Sequence, residues 1–76
     1  MAWPERISID TDILAGKPVI RGTRLAVELI LELLAAGESE NDVLASYPGI
    51  TRDDIRACLE YASYLAREYK GYPLPA

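Results

Sequence analysis

The nine residues Gly16-Lys17-Pro18-Val19-Ile20-Arg21-Gly22-Thr23-Arg24 constrain this chain more than any other stretch. Their two glycines take positive φ without steric cost, and Pro18 fixes φ while removing a backbone donor. Only Val19-Ile20 is left to run extended between two sharp bends, and a long apolar helix must start directly afterwards. The segment therefore reads as one arm of a small hairpin that aims Lys17, Arg21 and Arg24. Gly22 is expected at positive φ, with Arg21 and Arg24 bonding carbonyls or carboxylates to fix the bend between hairpin and helix. A plainer role for the cations is to keep a hairpin edge soluble. Loop cations are usually just solvated, so the residues alone favour that plainer role over partner binding.

Ile7-Ser8-Ile9 alternates with period two and predicts a short strand, and Asp10-Thr11-Asp12 carries turn chemistry. A β-hairpin is thus expected over about 7–25, with strands near 7–9 and 19–21. Three helices are expected after it. The first spans about 26–36 and ends at Gly37 as a left-handed cap. The second, about 40–47, has Ser39 as its N-cap and Val43, Leu44 and Tyr47 as its apolar face. The third, about 52–70, starts at Thr51 with Asp54 close to a capping box and stops at Gly71 and Pro73. Its apolar stripe is Ile55, Cys58, Leu59, Ala62, Leu65, Ala66 and Tyr69. These elements predict a mainly α fold with an N-terminal β-hairpin in one domain over 1–76.

In the first predicted helix, Val27, Ile30, Leu31 and Leu34 make one stripe, which Leu29, Leu33 and Ala36 widen. At 100° per residue the apolar arc covers about 260°, more than one small core needs. The excess predicts a homodimer or partner face at Leu29 and Leu33. A chain of 76 residues supports only a marginal core, which fits stabilisation by a second molecule.

Charge is spread unevenly within a net of −4. Residues 27–50 hold Glu28, Glu32, Glu38, Glu40 and Asp42 with no cation. An acidic chain is not steered to nucleic acid by its overall field, so DNA contact requires a local patch or a dimer. No apolar run is long and uncharged enough to span a membrane, and the first six residues lack a signal-peptide core, which together point to the cytoplasm. Cys58 has no partner for an internal disulfide, which fits a reducing compartment.

Catalysis is not expected. Histidine is absent, and Cys58 lies on an apolar stripe where a thiol is ordinarily inert core. Asp10 with Asp12 reads as backbone capping rather than a metal site, and no cofactor is expected. Gly16-Lys17 is not a phosphate loop, because Thr11 and Pro18 stand where glycine and Ser/Thr are needed. The spacing of Ala45, Gly49, Ile50, Ile55 and Cys58 resembles a helix-turn-helix. On that reading Thr51, Arg52, Asp53, Arg56 and Glu60 face the groove of DNA, with Arg52 and Arg56 reaching phosphates or guanine edges. A plain helical hairpin explains the same spacing equally well. Tyr61, Tyr64, Tyr69 and Tyr72 crowd the end of the chain. Tyr61 and Tyr64 are expected on an outward face, as partner-binding residues in preference to a surface covered by a folded-back Pro73-Leu74-Pro75.

Taken together, Ile7, Asp10, the Gly16–Arg24 block, Leu33-Leu34-Ala35-Ala36-Gly37-Glu38-Ser39, Tyr47-Pro48-Gly49-Ile50-Thr51 and the run from Ile55 to Ala62 resemble the family called domain of unknown function 433. The match covers nearly the whole chain, and the Gly16–Arg24 block is its most specific part. Ala26 departs from it, since Pro is frequent there. The resemblance implies a homeodomain-like or winged helix-turn-helix domain. It also implies an antitoxin that neutralises a PIN-like ribonuclease toxin and binds its own operator DNA. An interaction module that binds protein but no DNA is the alternative.

Overall fold

A small set of backbone hydrogen bonds around Ile20 sets the architecture. The structure, a computed structural model, describes residues 3–68. Its elements are α1 (Trp3–Arg6), β1 (Ile7–Ser8), a 3-10 turn (Leu14–Gly16), β2 (Val19–Ile20), α2 (Val27–Ala35), α3 (Glu40–Ser46) and α4 (Arg52–Glu68). The fold is mainly helical, with a two-stranded antiparallel sheet near its start. Ile7 pairs with Ile20 and Ser8 with Val19. Each strand is one residue shorter than expected, because Ile9 leaves the sheet for solvent and Arg21 already belongs to the next turn.

That turn converts hairpin into helix. Ile20 N donates to the Leu25 carbonyl at 3.0 Å, and Thr23 N donates back to the Ile20 carbonyl at 3.0 Å. The Thr23 hydroxyl also donates to the Ile20 carbonyl at 2.7 Å and accepts from Leu25 N at 3.0 Å. Gly22 sits at φ +82, the positive value that the sequence requires. Ala26 offers no side-chain cap to α2. Instead Val27 N donates to the Pro18 carbonyl at 2.9 Å, so the hairpin itself satisfies a donor left over at the helix start. Ala26 has φ −68, a value that proline also takes, so the departure there leaves the turn unchanged.

The remaining helix ends follow their capping residues. Gly37, at φ +98, ends α2 in a Schellman arrangement: Glu38 N donates to the Leu33 carbonyl and Gly37 N to the Leu34 carbonyl. Ser39 and Asp42 form a capping box on α3. Thr51 and Asp54 form another on α4, with Asp54 N bonded to Thr51 Oγ1 at 3.2 Å and Thr51 N to Asp54 Oδ2 at 2.9 Å.

Two features depart from the expected three helices and hairpin. A fourth helix, α1, forms at residues where none is expected. Pro4 suits its first turn, and Trp3 packs its ring on α4, centroid to centroid 4.9 Å from Tyr61 and 5.1 Å from Tyr64. Before β2, Leu14, Ala15 and Gly16 take positive φ in succession, although only Gly16 does so freely.

The core cluster joins Ile7 and Ile20 of the hairpin, Val27 and Ile30 of α2, Val43 of α3, Ile50, and Ile55, Ala57, Cys58 and Tyr61 of α4. No polar or charged residue among those described is buried. The stripe expected on α4 is too long: Leu59, Leu65 and Ala66 are exposed, and Tyr61 takes the inward place. The reason is α1, whose Trp3 covers the helix on the Tyr61 side. The expected end of this helix near residue 70, and the tyrosines at 69 and 72, lie outside the described residues.

At Gly22 an added Cβ meets nothing within 4 Å, so backbone conformation alone resists substitution. Gly22→Ala is expected to destabilise by about 1 kcal/mol or more. Gly49 also has open space and lacks the positive φ, so Gly49→Ala should be near neutral in the same denaturant titration.

Candidate functional site

The cations of the Gly16–Arg24 block separate into three roles. Arg21 reaches back across the hairpin, its Nε donating to the Glu5 carbonyl at 2.8 Å and its Nη2 to the Ile7 carbonyl at 3.1 Å and the Pro4 carbonyl at 3.4 Å. It bonds carbonyls as expected, but it ties α1 to the hairpin rather than fixing the bend between hairpin and α2. Lys17 pairs with Glu28 of α2 at 2.5 Å, both side chains remaining more than half exposed. The hydrogen bond and charge of Glu28 raise the Lys17 pKa, with a smaller contribution from Glu32. Arg24 is exposed and has no hydrogen bond or ion pair among the described residues, so neither arginine fixes the bend to α2, which Thr23 and the backbone hold instead.

At the start of α4, Thr51, Arg52, Asp53 and Arg56 are all exposed, as a DNA-facing surface requires. Arg52 is already engaged, however: its Nη1 lies 3.1 Å from Glu40 Oε2, and its Nη2 donates to Asn41 Oδ1. Arg6, from α1, lies 3.1 Å from Asp54 and 3.7 Å from Asp53. Arg56 remains the cation of this surface without a partner among the described residues. Ala45, the small residue of the expected close helix crossing, is exposed, while Val43 is fully buried in the core.

The predicted partner residues also divide. Tyr64 is exposed, whereas Tyr61 is 8% exposed and belongs to the core, contrary to the outward placement expected of it. The width of the apolar arc on α2 is explained in part inside the molecule, because Leu33 packs against the core cluster. Leu29 is half-buried and lies outside that cluster.

One concavity stands out beside these residues. A groove of about 350 Å³ lies between α2 and α4, lined by Lys17, Pro18, Val27, Glu28, Leu31, Tyr61, Ala62 and Leu65. The Lys17–Glu28 pair stands on its rim, and Leu65 is 49% exposed. The sequence reading misses this groove as a site. Its one available signal is the split of the α2 arc, with Leu31 turned away from Leu29 and Leu33.

Cys58 is fully buried. Burial, helped by the nearby charge of Asp54, pushes its thiol up to about 11. Such a thiol is protonated and unreactive at neutral pH. Among the described residues no group of three or more Cys, Asp or Glu side chains is placed to hold a metal ion. No helix there is long and apolar enough to cross a membrane.

Residues 7–62 match the family described as Protein of unknown function (DUF433), and the chain belongs to that family. It is 38% identical over 58 residues to the uncharacterized protein y4eO of Sinorhizobium fredii (strain NBRC 101917 / NGR234), covering 76% of this chain and 26% of that protein. Its fold superposes with a TM-score of 0.77 and 28% identity on the crystal structure of a DUF433 member from Anabaena variabilis ATCC 29413, covering 83% of this chain and 62% of the other. The chain thus spans about a quarter of its curated relative's length and under two thirds of the solved chain's.

Two expectations follow from this geometry. Arg21→Ala frees the carbonyls of α1 and should cost about 1 kcal/mol. It should also shift the emission of Trp3, whereas Arg21→Lys should restore only part of the stability, because one ammonium cannot span all three carbonyls. For Cys58, the folded thiol holds its proton where the unfolded one, near pKa 9.0, loses it. Stability from this group is therefore intact below about pH 9 and falls as the pH rises toward about 11. Chemical denaturation should show the margin between the natural protein and Cys58→Ala changing in that direction across this window.

Proposed function

We propose that this chain is the antitoxin of a toxin–antitoxin pair, which neutralises a PIN-like ribonuclease by binding it. The observation that carries this reading is the apolar groove between α2 and α4, whose Leu65 side stays open to solvent. An exposed apolar concavity with a charged rim suits a protein partner. Family membership supports it by resemblance. Self-association through Leu29 belongs to the same reading, since the core cluster leaves that side chain out. A dimer would also supply the two copies of α4 that operator DNA needs.

Binding of the chain's own promoter through Thr51, Arg52 and Arg56 is the second arm of the proposal. One observation favours the alternative of an interaction module that makes no DNA contact. Arg52 is held by Glu40 and Asn41, and Asp53 stands exposed beside it. Phosphate contact must break that pairing and face the carboxylates, so the net gain from counterion release is small.

Co-expression with the neighbouring reading frame tests both arms. The two products are expected to purify together, and the nuclease to be inactive until the complex is separated. Independent behaviour of the two products removes the antitoxin reading. In a mobility-shift assay on the upstream region, Arg56→Ala should weaken binding by about 1–3 kcal/mol if it contacts bases. A stable complex that shifts no DNA favours the interaction module.

A further inference from the structure

The groove has the form of a seat for a third helix. Val27 and Leu31 stand one turn apart along its α2 wall, and Tyr61 and Leu65 one turn apart along its α4 wall. Two rows with this step match the apolar i, i+4 repeat of an incoming helix. Ala62 also lines the groove from α4, where a small side chain permits close approach. Pro18 belongs to the lining from the hairpin side.

The charge at the mouth selects what enters. Glu28 is matched by Lys17, but Glu32, one turn along α2, is exposed with no hydrogen bond or ion pair among the described residues. Glu68 follows Leu65 by three residues on α4, continuing the same side of that helix. Among the described residues, the apolar floor is therefore bordered by one cation, Lys17, against Glu28 and Glu32 along α2 and Glu68 beyond Leu65. A helix with an acidic flank would bring like charges together as it docked, whereas a basic flank pairs with Glu32 and Glu68.

We propose that this groove receives an amphipathic helix with a basic flank, supplied by the protein partner. The inference rests on the partner-binding reading above and gives the chemistry of the partner's docking element. It also has a built-in reporter. Tyr61 lines the groove and lies 4.9 Å from the ring of Trp3, so an occupant that presses on Tyr61 perturbs the chain's one tryptophan.

The test uses the full chain and a synthetic tryptophan-free helix of about 18 residues, long enough to hold helical structure. This probe has Leu at i, i+4 and i+7 spacing and Lys on its flanks. A companion of the same spacing carries Glu in place of Lys. The Lys peptide is expected to change Trp3 emission saturably and the Glu peptide to bind at least tenfold more weakly. Leu65→Glu should abolish the response, and Leu59→Glu, an exposed apolar site outside the groove, should leave it within twofold. Glu32→Lys should reverse the preference between the two peptides. Circular dichroism checks that each variant keeps its helices, which the exposure of Leu65 and Leu59 favours.

Equal binding of both peptides, or binding that survives Leu65→Glu, overturns the proposal. So does a dimer, seen by sedimentation, that Leu65→Glu dissolves and the Lys peptide does not compete with, since the occupant is then a second copy. Binding that appears only after removal of residues 69–76 overturns it in favour of the chain's own end as occupant. None of these arms contains a nuclease. A peptide result in favour, with no complex in the co-expression experiment, therefore removes the antitoxin reading and leaves the helix seat standing.

Discussion

The Ile20 carbonyl is the point on which the rest of the structure depends. It accepts from the backbone and the hydroxyl of Thr23, while Ile20 N is bonded to Leu25 across the same turn. Only a residue that tolerates φ near +82 lets the chain close this loop, and Gly22 supplies it. The closure delivers Val27 N to the Pro18 carbonyl and so starts α2 in a fixed direction. It also aims Arg21 away from the helix, toward the carbonyls that hold α1. A single bend thereby orients the hairpin, the first long helix and the N-terminal turn relative to one another.

Onto that corner packs α4, the longest element. Ala57 and Cys58, both fully buried, are small enough to let its backbone approach its neighbours. Tyr61 follows where the core thins, and it serves two neighbours at once. Its ring lies tilted against that of Trp3, and it also lines the groove next to α2. Beyond it the helix runs on past the core with Leu65 still apolar, which is why an open groove exists at all. Among the described residues, the Leu65 side of this 17-residue helix is left half exposed.

How much of this is legible from the residues depends on whether the signal is local. Gly22, Gly37, Ser39 and Thr51 declare themselves because each solves a problem within four residues: a positive φ, or donors left unpaired at a helix start. The helix bounds consequently fall within a residue or so of expectation where they are described. Trp3 and Tyr61 do not declare themselves, because their pairing joins residues 58 positions apart and no periodicity encodes it. The same long-range contact is what turns Tyr61 inward and leaves Leu59 and Leu65 out. Leu14 and Ala15 at positive φ are equally illegible, since neither residue type favours that region. The groove escapes for a further reason. The breadth of the α2 arc is visible, but which of its residues do what is a matter of tertiary placement: Leu33 and Leu31 both meet the core, Leu31 also borders the cavity, and Leu29 lies outside the cluster.

Electrostatics weighs differently on the two kinds of partner proposed for this surface. The cations nearest the α4 N-terminus are spent on the protein itself: Arg52 on Glu40, and Arg6 on Asp53 and Asp54. These exposed pairs are individually weak, so their meaning lies less in stability than in the field they leave behind. With these two guanidiniums matched by carboxylates, Arg56 is the unpaired cation of this surface among the described residues, set against a net charge of −4. DNA binding must then rest on Arg56, with a second copy or a partner to multiply it. A protein partner faces no such deficit, because burial of apolar area at the groove acts at any ionic strength. The acidic rim then sets which helices are admitted rather than how much binding energy is available.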